Sequence, residues 1–156
     1  MRAAGISVDV AKPGRPAARL VVADNGSGSV VLGEPVDFTT DDTSVPVQLH
    51  DAAEAVRSHL KSLGVDRVVI RRADYSPASN KEGPKLRLLM EGALTSAACS
   101  VVPDTRIGTG KDTGVWFGGG KAAVDAEAGR LLGVASRSSR YVEATSAALA
   151  GIVLGP

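Results

Sequence analysis

Ala4-Gly5-Ile6-Ser7-Val8-Asp9-Val10 alternates with a period of two. Ile6, Val8 and Val10 fall on one side and Gly5, Ser7 and Asp9 on the other, as in a strand with one face on an apolar core. Lys12-Pro13-Gly14-Arg15-Pro16 follows as a turn, and Ala17 to Ala23 reads as a second strand. Asp24-Asn25-Gly26 is a hairpin signal, because Asn and Gly accept positive φ at little cost. Ser29 to Phe38 is a third strand, interrupted near Gly33 and Pro35. The chain therefore opens as an antiparallel meander.

After the polar loop Thr39 to Ser44 the period lengthens. Asp51 and Glu54 have capping-box spacing, which predicts a helix start there. Ala52, Val56, Leu60 and Leu63 mark its apolar face, and Gly64 its stop. Arg67 to Ile70 is nearly all apolar, as expected of a strand covered on both sides. Pro84 suits the first turn of a second helix with apolar positions Leu86, Leu89, Met90, Ala93, Leu94 and Ala97. Ser100 to Val102 is expected as a short fifth strand, and Gly108 to Gly120 as a glycine-rich surface loop. Lys121 to Leu132 is a third helix closed by Gly133, and Tyr141 to Val153 a last one. The order is βββαβαβαα, with no internal repeat and no separate linker.

A chain of 156 residues fits one domain, residues 1–156, with one core. Aromatics make up only 3%, so the core must be Val, Leu, Ile and Ala, which suits helices layered on a sheet. The net charge of +1 excludes a surface that is basic throughout; nucleic acid would need a local patch. Cys99 is the only cysteine, so an intrachain disulfide and a Cys-rich zinc site are both excluded. Its apolar surroundings predict a buried, inert thiol. No stretch approaches a membrane span and no long apolar leader opens the chain, so the expected location is the cytoplasm, with no membrane partner.

Several motifs fail on inspection. Gly110-Lys111 invites a phosphate-loop reading, but Thr105 stands at the first glycine and Asp112 at the Mg²⁺-binding hydroxyl. Gly108, Gly110 and Gly114 miss dinucleotide spacing by one residue. His50 and His59 lack partners at metal-ligand spacing, and no Ser lies in a Gly-x-Ser-x-Gly elbow. Trp116 and Phe117 serve either as a partner-binding tip or as a plug folded onto the core, and aromatic scarcity favours the plug.

Two clusters keep chemical interest. Arg71, Arg72, Lys85, Arg106 and Lys111 fall after strands or at helix starts, where an open α/β sheet presents its ligand edge to nucleic acid or another anion. A plain solvated rim is the competing reading, and both stay open. Asp9, Asp104 and Glu143 are the acidic candidates for a divalent-metal site, a thin set for two-metal phosphodiester cleavage.

The order of elements, with Gly5-Ile6-Ser7-Val8-Asp9, Val68-Val69-Ile70-Arg71-Arg72, Lys85 to Ala98 and Glu143 to Ala150, resembles the RuvC-like branch of the ribonuclease H-like superfamily. Small bacterial proteins of that branch are the nearest in kind. The resemblance implies a ribonuclease H-like three-layer α/β/α fold around a mixed five-stranded sheet. It also implies acids at four positions, where this chain has Ser7, Arg71, Glu143 and Ser146. One of four remains, with Asp9 two residues from the first. The expectation is a catalytically degenerate domain that binds DNA, RNA or another anionic partner. The competing expectations are a Mg²⁺- or Mn²⁺-dependent nuclease using Asp9, Glu143 and Asp104, and a protein-interaction module using the Trp116 loop.

Overall fold

The computed structural model describes residues 1–74, 81–133 and 138–155. Strands β1 (Arg2–Lys12) and β2 (Arg15–Asp24) pair antiparallel and turn at Pro13-Gly14, where Gly14 takes φ +67°. The interruption at Gly33 and Pro35 divides the third strand into β3 (Val31–Leu32) and β4 (Val36–Thr39), which both pair with β2. That division gives six strands among the described residues where five were expected. Then come α1 (Val45–Leu63), β5 (Arg67–Arg71), α2 (Glu82–Cys99), β6 (Thr105–Gly108), α3 (Gly110–Phe117), α4 (Lys121–Leu132), a 3-10 turn at Ser138–Tyr141 and α5 (Val142–Val153). The sheet runs β3-β2-β1-β5-β6, with β5 parallel to β1 and β6 parallel to β5. It is therefore mixed, and it is the middle of three layers.

The alternation of β1 separates the two outer layers. Ala4, Ile6 and Val8 face Val56 and Leu60 of α1 and Met90 and Leu94 of α2 in one buried cluster. Gly5 faces α5, where a Cβ would collide with the Ala144 carbonyl oxygen and the Ala148 amide nitrogen. α5 can lie this close to the sheet only because Gly5 has no side chain and its own buried residues include Ala144, Ala147, Ala148 and Gly151. No helix among the described residues is long and apolar enough to cross a membrane.

Local chemistry overturns several expectations. Positive φ after β2 falls at Gly28, not at Asn25 or Gly26, because the Asp24 carboxylate accepts the Gly26 N–H and sets an Asx turn. α1 starts at Val45 after Ser44, with Pro46 in its first turn, so Asp51 and Glu54 are interior and cap nothing. Ser100 to Val102 is not a strand: their N–H groups bond back to Ser96 and Ala98 carbonyls and close α2. The glycine-rich segment is not a loop but largely α3, started by a capping box in which Thr109 and Asp112 bond each other's backbone. Cys99 is exposed, not buried, because it ends α2 on the side away from the sheet.

Candidate functional site

Ser7 pairs with Arg19 on β2 and with Arg71 on β5. Residues in register share a face, so Arg19, Ser7 and Arg71 form one row across three strands, on the side covered by α5. Glu143 and Ser146 stand three residues apart at the start of α5, hence on one face. The row and the start of α5 lie at the carboxyl ends of β1 and β5, where an open α/β sheet holds ligands.

One end of the row is sealed. Arg71 is 1% exposed, although it carries a guanidinium. Its Nη1 donates to Thr113 Oγ1 at 3.1 Å and lies 3.6 Å from Asp125 Oδ1. Asp125 in turn accepts from the Ser146 hydroxyl at 2.7 Å and from Lys121 Nζ at 3.0 Å. Burial pushes the Asp125 carboxyl up, but Ser146, Lys121 and Arg71 outweigh it and hold the group below the usual range. Arg71 Nε and Nη2 have no hydrogen-bond partner among the described residues. The guanidinium rests on Gly110, where any Cβ would collide with Nη2.

The other end is open. Arg19 Nη1 donates to Asp9 Oδ2 at 3.0 Å. Arg87 reaches over from α2, donating to Glu91 Oε1 at 2.8 Å and to Glu143 Oε2 at 2.9 Å. Glu91 is 1% exposed and also accepts the Ala73 N–H. Burial raises its carboxyl above the ordinary value, with Arg87 and the Ala73 N–H opposing. A cavity of about 210 Å³ opens among Ser7, Asp9, Arg19, Arg87, Arg140 and Glu143. It meets a groove of about 590 Å³ that also takes in Lys12, Arg15 and Thr40, the two sharing Asp9, Arg19 and Arg140.

The expected site residues are thereby sorted. Asp9 and Glu143 line the same cavity, each bonded to an arginine. Asp104 is not with them: it bonds Arg67 at 2.6 Å and Arg106 at 2.8 Å, and Arg67 begins the strand that Arg71 ends. The Arg106 contact, then Arg67, holds the Asp104 carboxyl below its usual range despite some burial. Arg106 is thus exposed but paired with Asp104. Arg71 is buried and not part of a solvated rim. Arg72 and Lys111 are exposed, and both act electrostatically on Asp112. Lys85 is exposed on the first turn of α2 and pairs with Glu82 at 3.4 Å. Trp116 packs over Gly108 and Phe117 on the α4–α5 cluster, leaving Val115 as the solvent-facing member of that trio. His50 is exposed, and His59 meets the Phe38 ring edge-on at 5.6 Å.

Sequence reasoning placed Arg87 only among the basic residues flanking the start of α2, and missed Arg19, Glu91 and Asp125. Signals for them existed: Arg19 is the one charge inside Ala17 to Ala23, and Arg87/Glu91 and Lys121/Asp125 have i,i+4 spacing.

A divalent cation does not fit these residues. Three of the four positions where the resemblance calls for acids carry Ser7, Arg71 and Ser146, and the fourth, Glu143, is engaged by Arg87. A guanidinium at Arg71 repels a cation. Among the described residues, no three of His, Cys, Asp and Glu come together as a metal-binding group.

Solved structures match nearly the whole chain. Thermus thermophilus RuvC superposes with a TM-score of 0.71 at 18% identity, over 98% of this chain and 94% of that one. The fold is RuvC-like. T. thermophilus RuvC in complex with a Holliday junction substrate gives the same score and identity, over 98% and 93% of the two chains. No family model and no curated protein matches the sequence. The likeness therefore lies in architecture, not in sequence.

Proposed function

We propose that residues 1–156 form one RuvC-like domain that has exchanged metal chemistry for binding, and that it takes nucleic acid or another anionic partner in the cytoplasm. The observation that carries this reading is Arg71. It is 1% exposed, at a position where the resemblance calls for a metal-binding acid. Its guanidinium sets a positive charge where a metal ion would need a negative one. Around it Asp125, Ser146, Lys121 and Thr113 have become an ionic lock, which frees the edge from holding a cation. Positive groups remain at the mouth: Arg19, Arg87 and Arg140 in the cavity, and Arg72 and Lys111 exposed at the carboxyl ends of β5 and the start of α3. That the RuvC neighbour was solved with a Holliday junction supports nucleic acid as the partner.

The test is a salt titration of binding to duplex DNA, branched DNA and RNA, with chelator present throughout. Phosphate contacts predict affinity that falls steeply and linearly on a log–log plot against salt. No affinity for any of the three at low salt would overturn the reading. So would Mg²⁺- or Mn²⁺-dependent cleavage that Asp9→Asn abolishes, since that result would restore the nuclease.

A further inference from the structure

We propose that the Arg19–Arg87–Arg140 cavity is a phosphate site for one backbone position of a nucleic-acid strand, and that Asp9 and Glu143, on its wall, engage the arginines as internal stand-ins which the strand displaces. The proposal rests on the binding function above and deepens it. Three arginines enter this cavity from three separate elements: β2, α2 and the 3-10 turn. Arg19 is 8% exposed, and among the described residues its Nε makes no hydrogen bond, though it forms a looser ion pair with Asp37 at 3.7 Å. A mostly buried guanidinium on the wall of a cavity is a fixed attraction for an anion.

The two carboxylates differ from Glu91 in how firmly they are held. The Asp9 and Glu143 side chains are 42% and 44% exposed, so water competes for them and their ion pairs are weak. Glu91 is 1% exposed and stays on Arg87 whatever happens to Glu143. Phosphate oxygens and carboxylate oxygens compete for the same guanidinium donors. A strand can therefore replace the outer pair while the inner one keeps Arg87 aimed. The cavity of about 210 Å³ has room for one phosphate group with a few waters, each water having a share of about 30 Å³. The adjoining groove, with Lys12 and Arg15, has room for neighbouring nucleotides. Among the described residues the lining of both spaces is charged, polar or small, which suits contacts to the sugar-phosphate backbone.

The experiment is fluorescence anisotropy with a labelled single-stranded oligonucleotide of mixed sequence, in chelator, with inorganic phosphate binding measured separately by NMR. Asp9→Asn and Glu143→Gln should each tighten strand binding about threefold by removing a competitor worth a fraction of a kcal/mol. Arg140→Gln should weaken binding and lower the salt slope by about 0.7, one phosphate contact on a single strand. All three positions are partly or fully exposed, and circular dichroism confirms that each variant folds. Unchanged or weaker binding in both acid variants overturns the proposal. If the parent binds the strand while none of the cavity variants alters it, the cavity is wrong and the binding function survives on Arg72 and Lys111. If the strand does not bind but phosphate does, and Arg140→Gln weakens it, the cavity stands and the nucleic-acid reading falls. Binding of neither overturns both.

Discussion

Arg71 and Arg19 stand in register on either side of Ser7, yet the protein treats them as opposites. Arg71 is sealed beneath α3 and α4, with Asp125 held by Ser146 and Lys121 as its counter-charge. Arg19 borders a cavity, and its partner Asp9 has a side chain 42% exposed. The same pair of charges is therefore a structural lock at one end of the row and an exchangeable contact at the other. What decides between them is water. Where α3 and α4 exclude it, an ion pair cannot be released without leaving a bare charge. At the rim a displaced carboxylate is simply rehydrated.

The most severe test of this contrast is Arg71→Glu. It sets a buried carboxylate against Asp125 with no compensating cation but Lys121, and should cost about 3–5 kcal/mol. Denaturant unfolding with chelator present measures it, so that no divalent ion can mask the repulsion. A loss within 1 kcal/mol would show that Arg71 is not sealed. Gly5→Ala attacks the same region from the sheet. Its Cβ would drive into the Ala144 carbonyl, and α5 would have to lift, at a cost of about 3 kcal/mol. Thermal melting should fall by about 10 °C, given roughly 2–4 °C per kcal/mol for a domain of this size.

The contrast also separates what the sequence discloses from what it hides. Regular elements follow from short-range rules, and Gly64, Gly133 and the alternation of Ile6 and Val8 place them correctly. The errors come from rules applied to the wrong neighbours. The capping box read at Asp51 and Glu54 is formed instead by Thr109 and Asp112, where glycines disguise a helix as a loop. The strand expected at Ser100 to Val102 begins at Thr105, because the last turn of α2 claims those amides. The site was half legible. Ser7, Arg71, Glu143 and Ser146 were noted as a departure from an acidic pattern, but the lock needs Asp125 from a helix 21 residues before Ser146. Register across strands and packing between helices bring such groups together, and neither is written in local spacing. Arg19 carried the clearest missed signal, since a lone charge in an apolar strand must be paired or face a cavity.

A smaller effect tests where the exposed cations matter. Arg72→Gln combined with Lys111→Gln should leave stability within about 0.5 kcal/mol, as surface changes do. If both touch phosphates, the salt slope of binding to duplex DNA should fall by about 1.8. A loss more than twice that caused by Arg140→Gln on the same duplex would shift the interface from the cavity towards the start of α3.

The finest test uses pH, because the two halves should respond with opposite sign. Glu91, inside the open half, has its carboxyl raised above 4.5, chiefly by burial. The folded state thus binds its proton more tightly than the unfolded chain, and this contribution is full below 4.5 and lost as pH rises through the raised value. Glu91→Gln removes that loss. The stability difference between variant and parent should therefore move in the variant's favour as pH climbs from 4.5 through that value. Asp125, in the sealed half, is held below 3.8, burial being outweighed by Ser146, Lys121 and Arg71. Its contribution is full above 3.8 and lost as pH falls through the lowered value, so Asp125→Asn should be less stable than the parent by a constant margin above 3.8, and that margin should shrink as pH falls below it. Unfolding curves for both variants between pH 3 and 7 read the two slopes side by side. Slopes of the same sign would mean either that burial does not govern Glu91 or that Ser146, Lys121 and Arg71 do not hold Asp125.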